Sequence, residues 1–164
     1  MLKIFNQKGQ SLIEAVVALG AAALIISAIA IAVITSVNNS DYSKYQNQAT
    51  NYAQQGIEIM RSQAQSDWAN FEAKTNPNSK VTYCLGQNAT DLTNFTGTHC
   101  VQNIGPDPND PFFIREITIY PPDASGIRVE SAVYWIDGKC TTKDYCHMAK
   151  IDTRFADINR LPTP

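Results

Sequence analysis

At 164 residues the chain has room for one compact domain plus one long element, and not for a second full core. Thirteen Lys and Arg stand against fifteen Asp and Glu, a formal charge of −2, with no basic run and no cationic stripe interleaved with aromatics. A phosphate-neutralising surface is excluded by that pattern, so nucleic acid is not expected as a main partner.

Charge and polarity are distributed very unevenly. Residues 15–37 carry no charge, and only Gly20, Ser27, Thr35 and Ser36 interrupt their apolar run, whereas the remainder of the chain is rich in Asn, Gln, Asp, Ser and Thr. A helix over that run extends roughly 35 Å at about 1.5 Å per residue, enough to cross a bilayer core. Lys3 and Lys8 precede the run and Asp41 is the first charge after it. By the positive-inside rule the N-terminus is then cytoplasmic and the rest is exported, a single-pass topology. Glu14 stands at the edge of the run, where a plain anchor would gain from a neutral or basic residue. A carboxylate at membrane depth is unfavourable without a cation, which makes Glu14 a functional candidate in search of a partner.

The residues Lys8-Gly9-Gln10-Ser11-Leu12-Ile13-Glu14, running directly into the apolar helix, resemble the processing signature of type IV prepilins and pseudopilins. The signal is compound: a short basic leader ending in Gly, a hydroxyl residue, two aliphatics and a Glu before a membrane-length helix. The resemblance implies a leader, residues 1–9, removed by a prepilin peptidase/methyltransferase that cuts between Gly9 and Gln10 and N-methylates Gln10. It also implies a filament-core helix over 10–38, other pilin-like subunits as partners, and an assembly platform in the inner membrane. Glu14 of one subunit then pairs with the terminal amine of its neighbour. Residue spacing is compatible with this, because Gln10 and Glu14 lie four apart and so on one helical face. Two departures point to a minor pilin or pseudopilin: the mature chain starts with Gln10 and not with an aromatic or Met, and no proline lies between Gly9 and Pro77. The competing reading of the segment is an ordinary secretory signal cut after Ala28-Ile29-Ala30, against which the length of the run and Glu14 both weigh.

Beyond Val37, Tyr42, Tyr45, Ala49, Tyr52, Ala53, Gly56, Ile57, Met60 and Ala64 recur at three-and-four spacing with no intervening proline. An amphipathic continuation of the helix over 39–66 is expected, with the tyrosine stripe read as core packing. An exported globular β-sheet domain over 67–164 follows. Residues 67–80, with Asn76-Pro77-Asn78-Ser79, read as helix exit and loop. Strands are expected at 81–85, 112–120, 127–136 and 148–155, with the second and third joined as a hairpin across Pro121-Pro122-Asp123-Ala124-Ser125-Gly126. In the third, Val129, Ser131, Val133 and Trp135 share one face; in the last, Ala149, Ile151 and Phe155 oppose Lys150, Asp152 and Arg154. The fold class is α+β: a long N-terminal helix packed on a small antiparallel sheet.

Four cysteines in an exported domain suit two disulfides. Loop closure favours Cys84 with Cys100 and Cys140 with Cys146, although three pairings are formally possible. Cys140, Cys146 and His147, with His99 and Cys100, can also be drawn as a zinc site, but no Cys-x-x-Cys pair is present and oxidation is favoured, so no metal is expected. Asp107, Asn109 and Asp110 lie among prolines that spoil a calcium-loop pattern. The triplets at Asn38, Asn88 and Asn94 match the glycosylation pattern, which chance also produces. No nucleophile–base order, phosphate-binding glycine loop or paired-acid motif stands out, so catalysis and cofactors are not expected. A filament subunit is the leading expectation, and a membrane-tethered or secreted binding or adhesion domain is the alternative.

Overall fold

The computed structural model describes residues 8–87, 92–101, 104, 112–138, 140, 141 and 145–157, with residues 8–11 described by backbone alone. Residues 1–7 of the expected leader, the Asn88 triplet, the loop of Asp107, Asn109 and Asp110, and the 162–164 tail lie outside the described residues. The chain divides into two compact units, residues 1–43 and 44–164. Helix α1, Lys8–Ser66, contributes to both.

In the first unit α1 is apolar all round over residues 15–37, and its large apolar side chains, Leu12, Leu19, Leu24, Ile31 and Val37 among them, are each more than half exposed. The helix is long and apolar enough to cross a membrane, and none of its most apolar window is buried. Two hydroxyls within the run bond to the preceding turn: Ser27 Oγ donates to Ala23 O at 2.8 Å and Thr35 Oγ1 to Ile31 O at 2.9 Å. Hydrogen bonding of hydroxyls back to the preceding turn suits a helix in a medium that offers no water.

In the second unit Ala49, Ala53, Gly56, Ile57, Met60 and Ala64 form the buried face of α1, flanked by the half-buried Tyr45 and Tyr52. The helix ends where Asp67 turns extended, with φ −152° and ψ 90°. Asp67 then caps a second helix, α2, Trp68–Glu72, its carboxylate accepting from the Asn70 N–H at 3.0 Å. A helical turn thus replaces part of the expected loop, held by the cap and by Phe71, which is buried and packs edge-on against Phe155 at 5.7 Å.

Five strands follow: β1, Val81–Cys84; β2, Thr93–Asn94; β3, Phe113–Ile119; β4, Ile127–Trp135; and β5, His147–Phe155. They form one antiparallel sheet in the order β2-β1-β3-β4-β5. The β3–β4 hairpin has the expected turn, where Asp123 and Gly126 exchange backbone hydrogen bonds of 3.0 Å. Gly126 has φ +115°, a conformation L side chains rarely adopt, and a Cβ there would collide with the Phe155 carbonyl. The two-residue β2 was not expected, being too short to leave an alternation in the sequence.

Alternation assigns the faces. Ile117, Ile119, Ile127, Val129 and Phe155 meet Ile57, Met60 and Ala64 of α1 in one core. Burying each large aliphatic side chain there contributes roughly 1.5–3 kcal/mol. Strand β4 alternates as its sequence implies except at Ala132, which is buried on the outer face, and β3 is buried on both faces from Phe113 to Ile117. Its outer side lies under a chain excursion pinned by a disulfide, where Cys84, Cys100 and Ile114 pack with Phe95, Tyr134 and Tyr145.

Helix and sheet approach closely at Gly56. An added Cβ would lie 2.5 Å from Ser131 Oγ, 2.9 Å from Arg115 Cδ and 3.2 Å from Ile117 Cδ1. Arg115 itself is buried beneath α1, and its guanidinium donates to three carbonyl oxygens: Tyr52 at 2.8 Å, Leu85 at 3.3 Å and Gly86 at 2.8 Å. Desolvation pulls its pKa down to about 10, still well above neutrality, so it remains a cation solvated by backbone dipoles. One side chain thereby ties α1, β3 and the segment after β1 together.

Candidate functional site

The bond between Gly9 and Gln10 lies within the first turn of α1, and Glu14 follows one turn later as an exposed side chain among exposed aliphatics. From residue 12 to residue 40 Glu14 is the only ionisable side chain in the sequence. The hydroxyls of Ser27 and Thr35 are internally bonded, which leaves Glu14 as the one full charge on this surface. Gln10 precedes Glu14 by four residues, one helical turn, and so lies on the same face of α1.

The structure places Cys84 Sγ 1.96 Å from Cys100 Sγ and Cys140 Sγ 1.94 Å from Cys146 Sγ, two disulfides that leave no cysteine free among the described residues. The first is buried and fastens the covering excursion to the end of β1. The second closes a short loop between β4 and β5, with Cys140 half-buried and Cys146 exposed.

Each described histidine faces a carboxylate. His99 Nδ1 lies 3.0 Å from Glu116 Oε1, which also accepts the Cys100 N–H at 3.4 Å, and Tyr134 and Tyr145 flank the imidazole at 4.9 and 5.3 Å. Burial pushes the Tyr134 hydroxyl pKa upward, reinforced by the negative charges of Glu116 and Glu130. His147 Nε2 lies 3.1 Å from Asp137 Oδ1, and Trp135 stacks on its ring at 5.3 Å. Because both neighbouring cysteines are oxidised, neither pair activates a thiol. His99 and Cys100 belong with Glu116, whereas Asp137 joins Cys140, Cys146 and His147, their donor atoms all within 4.8 Å of one another.

Asp137 was not singled out by the sequence, where Asp137-Gly138 reads as the end of a strand. The pairing of Trp135 with His147 carries it across to the fourth cysteine's neighbour. Arg115 and Glu116 were likewise missed, since neither belongs to a recognisable motif. Of the glycosylation triplets, Asn38 sits inside α1 and Asn94 is exposed on β2. Open hollows occur beside α2, one of about 340 Å³ lined by Ile59, Gln63, Asp67, Asn70, Phe71 and Lys74.

No protein-family model, no curated protein and no solved structure matches this chain.

Proposed function

We propose that the chain is a structural subunit, a minor pilin or pseudopilin, of a type IV pilus or of a related secretion or DNA-uptake filament. The observation that carries this reading is Glu14: a lone charge on an exposed apolar helix, five residues after the Gly9 of a prepilin-like leader. Cleavage after Gly9 creates an α-ammonium on Gln10, one helical turn or about 6 Å along the axis from Glu14. An unpaired carboxylate at the centre of a membrane helix costs about 2.5–3.5 kcal/mol, and less near the interface. Pairing Glu14 with the amine of a neighbouring subunit removes that penalty only when two helices stand in one axial register. Lipid-exposed helices thereby exchange lipid for one another, while the disulfide-closed sheet domain is held outside the membrane. The partners are other pilin-like subunits, the peptidase/methyltransferase and an inner-membrane assembly platform.

Substitution Glu14→Ala in native cells tests the reading. The variant chain still inserts in the membrane, measured by fractionation, but is absent from sheared filaments. Undiminished incorporation removes Glu14 from assembly and brings forward the membrane-tethered binding domain.

A further inference from the structure

We propose that reduction of the Cys140–Cys146 disulfide converts the end of the β4–β5 ladder into a zinc site formed by Asp137, Cys140, Cys146 and His147. Two thiolates, an imidazole and a carboxylate are a complete tetrahedral donor set for zinc, and a poor one for the hard cations calcium and magnesium. Their donor atoms already lie within 4.8 Å of one another. Zinc–ligand bonds of about 2.0–2.3 Å imply donor–donor edges of roughly 3.3–3.8 Å. The His147–Asp137 and Asp137–Cys140 separations of 3.1 and 3.9 Å are already close to such edges, so the main movement required is parting of the two sulfurs.

The donors are held by more than the bond that is broken. Trp135 and His147 form the last pair of the β4–β5 ladder, Asp137 follows two residues after that pair, and Cys146 immediately precedes it. Cys140 is fixed by its own N–H, which donates to Asp137 O at 3.1 Å. The ladder therefore keeps the four residues converged in the reduced chain. Trp135, fully buried, stacks on the His147 ring at an interplanar angle of 26° and sets its orientation.

Local charge favours the metal over free thiolates. Asp137 N–H is directed at Cys140 Sγ at 3.4 Å, which stabilises negative charge on sulfur, but Asp137 Oδ1 lies 3.9 Å from the same atom and repels it. Zinc turns that repulsion into coordination by both groups. Chemically, a thiol reductant attacks the exposed Cys146 sulfur and Cys140 leaves as thiolate. A second reductant thiol resolves the mixed disulfide, departing with the first as an oxidised pair, and Cys140 and Cys146 are left as thiols. Zinc then displaces one proton from each. The 140–146 loop thus has two closures, a covalent one when oxidised and a metal one when reduced.

The test uses the full chain in mild detergent, reduced with a phosphine under argon and titrated with cobalt(II) as a spectroscopic stand-in for zinc. The reduced chain is expected to show a thiolate-to-cobalt charge-transfer band and the visible bands of tetrahedral cobalt, saturating at one ion per chain and displaced by zinc. The oxidised chain shows neither. His147→Ala and Asp137→Ala each weaken zinc binding by more than about tenfold, the lower range for loss of a mere supporting contact. Near-ultraviolet circular dichroism follows folding, and zinc is expected to raise the Tm of the reduced chain. The proposal is overturned by a reduced chain that takes up no cobalt or stays unfolded with zinc present. It is equally overturned by bands that survive the double change Cys140→Ser and Cys146→Ser, or by unchanged affinity in either ligand variant.

Discussion

Replacing Gly56 by Ala sets two opposed effects against each other at a close approach of α1 and the sheet. In a free helix the change is favourable by about 1 kcal/mol, because glycine is the more costly residue to order. Here the new Cβ falls 2.5 Å from Ser131 Oγ and 2.9 Å from Arg115 Cδ. Ser131 is completely buried in the middle of β4, and the Arg115 stem is held by three carbonyls, so neither recedes freely. Relief requires α1 to lift from the sheet, an overpacking term of about 1–3 kcal/mol, or loss of a charge-assisted hydrogen bond worth about 1.5–3 kcal/mol. The steric side outweighs the propensity gain, with a net loss of up to about 2 kcal/mol and a Tm lower by up to about 8 °C for a unit of this size. Thermal unfolding of the full chain in detergent, followed by near-ultraviolet circular dichroism of the core aromatics, measures it. Ser131→Ala removes the nearest atom, a hydroxyl with no hydrogen-bond partner among the described residues, so the double variant loses less than the sum of the singles by at least about 0.5 kcal/mol. A Gly56→Ala chain that melts higher than the parent, or strict additivity in the cycle, would refute the close packing.

Two further changes probe the charges. Arg115→Met strips the three-carbonyl brace and is expected to destabilise by about 2–4 kcal/mol, and Arg115→Lys recovers little of it because a point ammonium cannot reach carbonyls in three directions; parallel melts of both variants check this, and full rescue by Lys contradicts it. At the β3–β4 turn, hydrogen bonds from Arg154 and then Ser125 hold the Asp123 pKa down at about 2. A carboxylate depressed in the folded state adds stability above its ordinary value of about 3.9, and that contribution is lost as pH falls from there through about 2. Carboxyl NMR of Asp123 reads the midpoint directly. Arg154→Ala is expected to raise it toward the ordinary value, with little change in Tm at neutral pH since both groups are exposed.

What could be read in advance follows the range of the interactions. The α1 stripe from Tyr45 to Ala64 and the β3–β4 hairpin are written in local periodicity and turn chemistry, and they stand within a residue or so of where the pattern puts them. Helix α2 has five residues, too few to show a period, and only the Asp67 cap announces it. Burial of Ile114 and Glu116 on the outer face of β3 depends on an excursion whose path is set by the Cys84–Cys100 bond, and no pattern within the strand reveals that. Arg115 alternates in phase with Phe113 and Ile117, so its inward position is legible in hindsight, but a lone cation in an apolar face reads as an exception until its carbonyl acceptors are seen. Asp137 enters its cluster through strand register, a long-range property. Glu14, by contrast, needs no tertiary information: its oddity is its position in an otherwise uncharged run.

Mass spectrometry of the mature N-terminus, on chain purified from native cells, bears most directly on the proposed role. A chain beginning at N-methylated Gln10 is the predicted result. An intact Met1, or a chain beginning at Ile31 after Ala28-Ile29-Ala30, would contradict the filament-subunit reading and leave a tethered or secreted domain in its place.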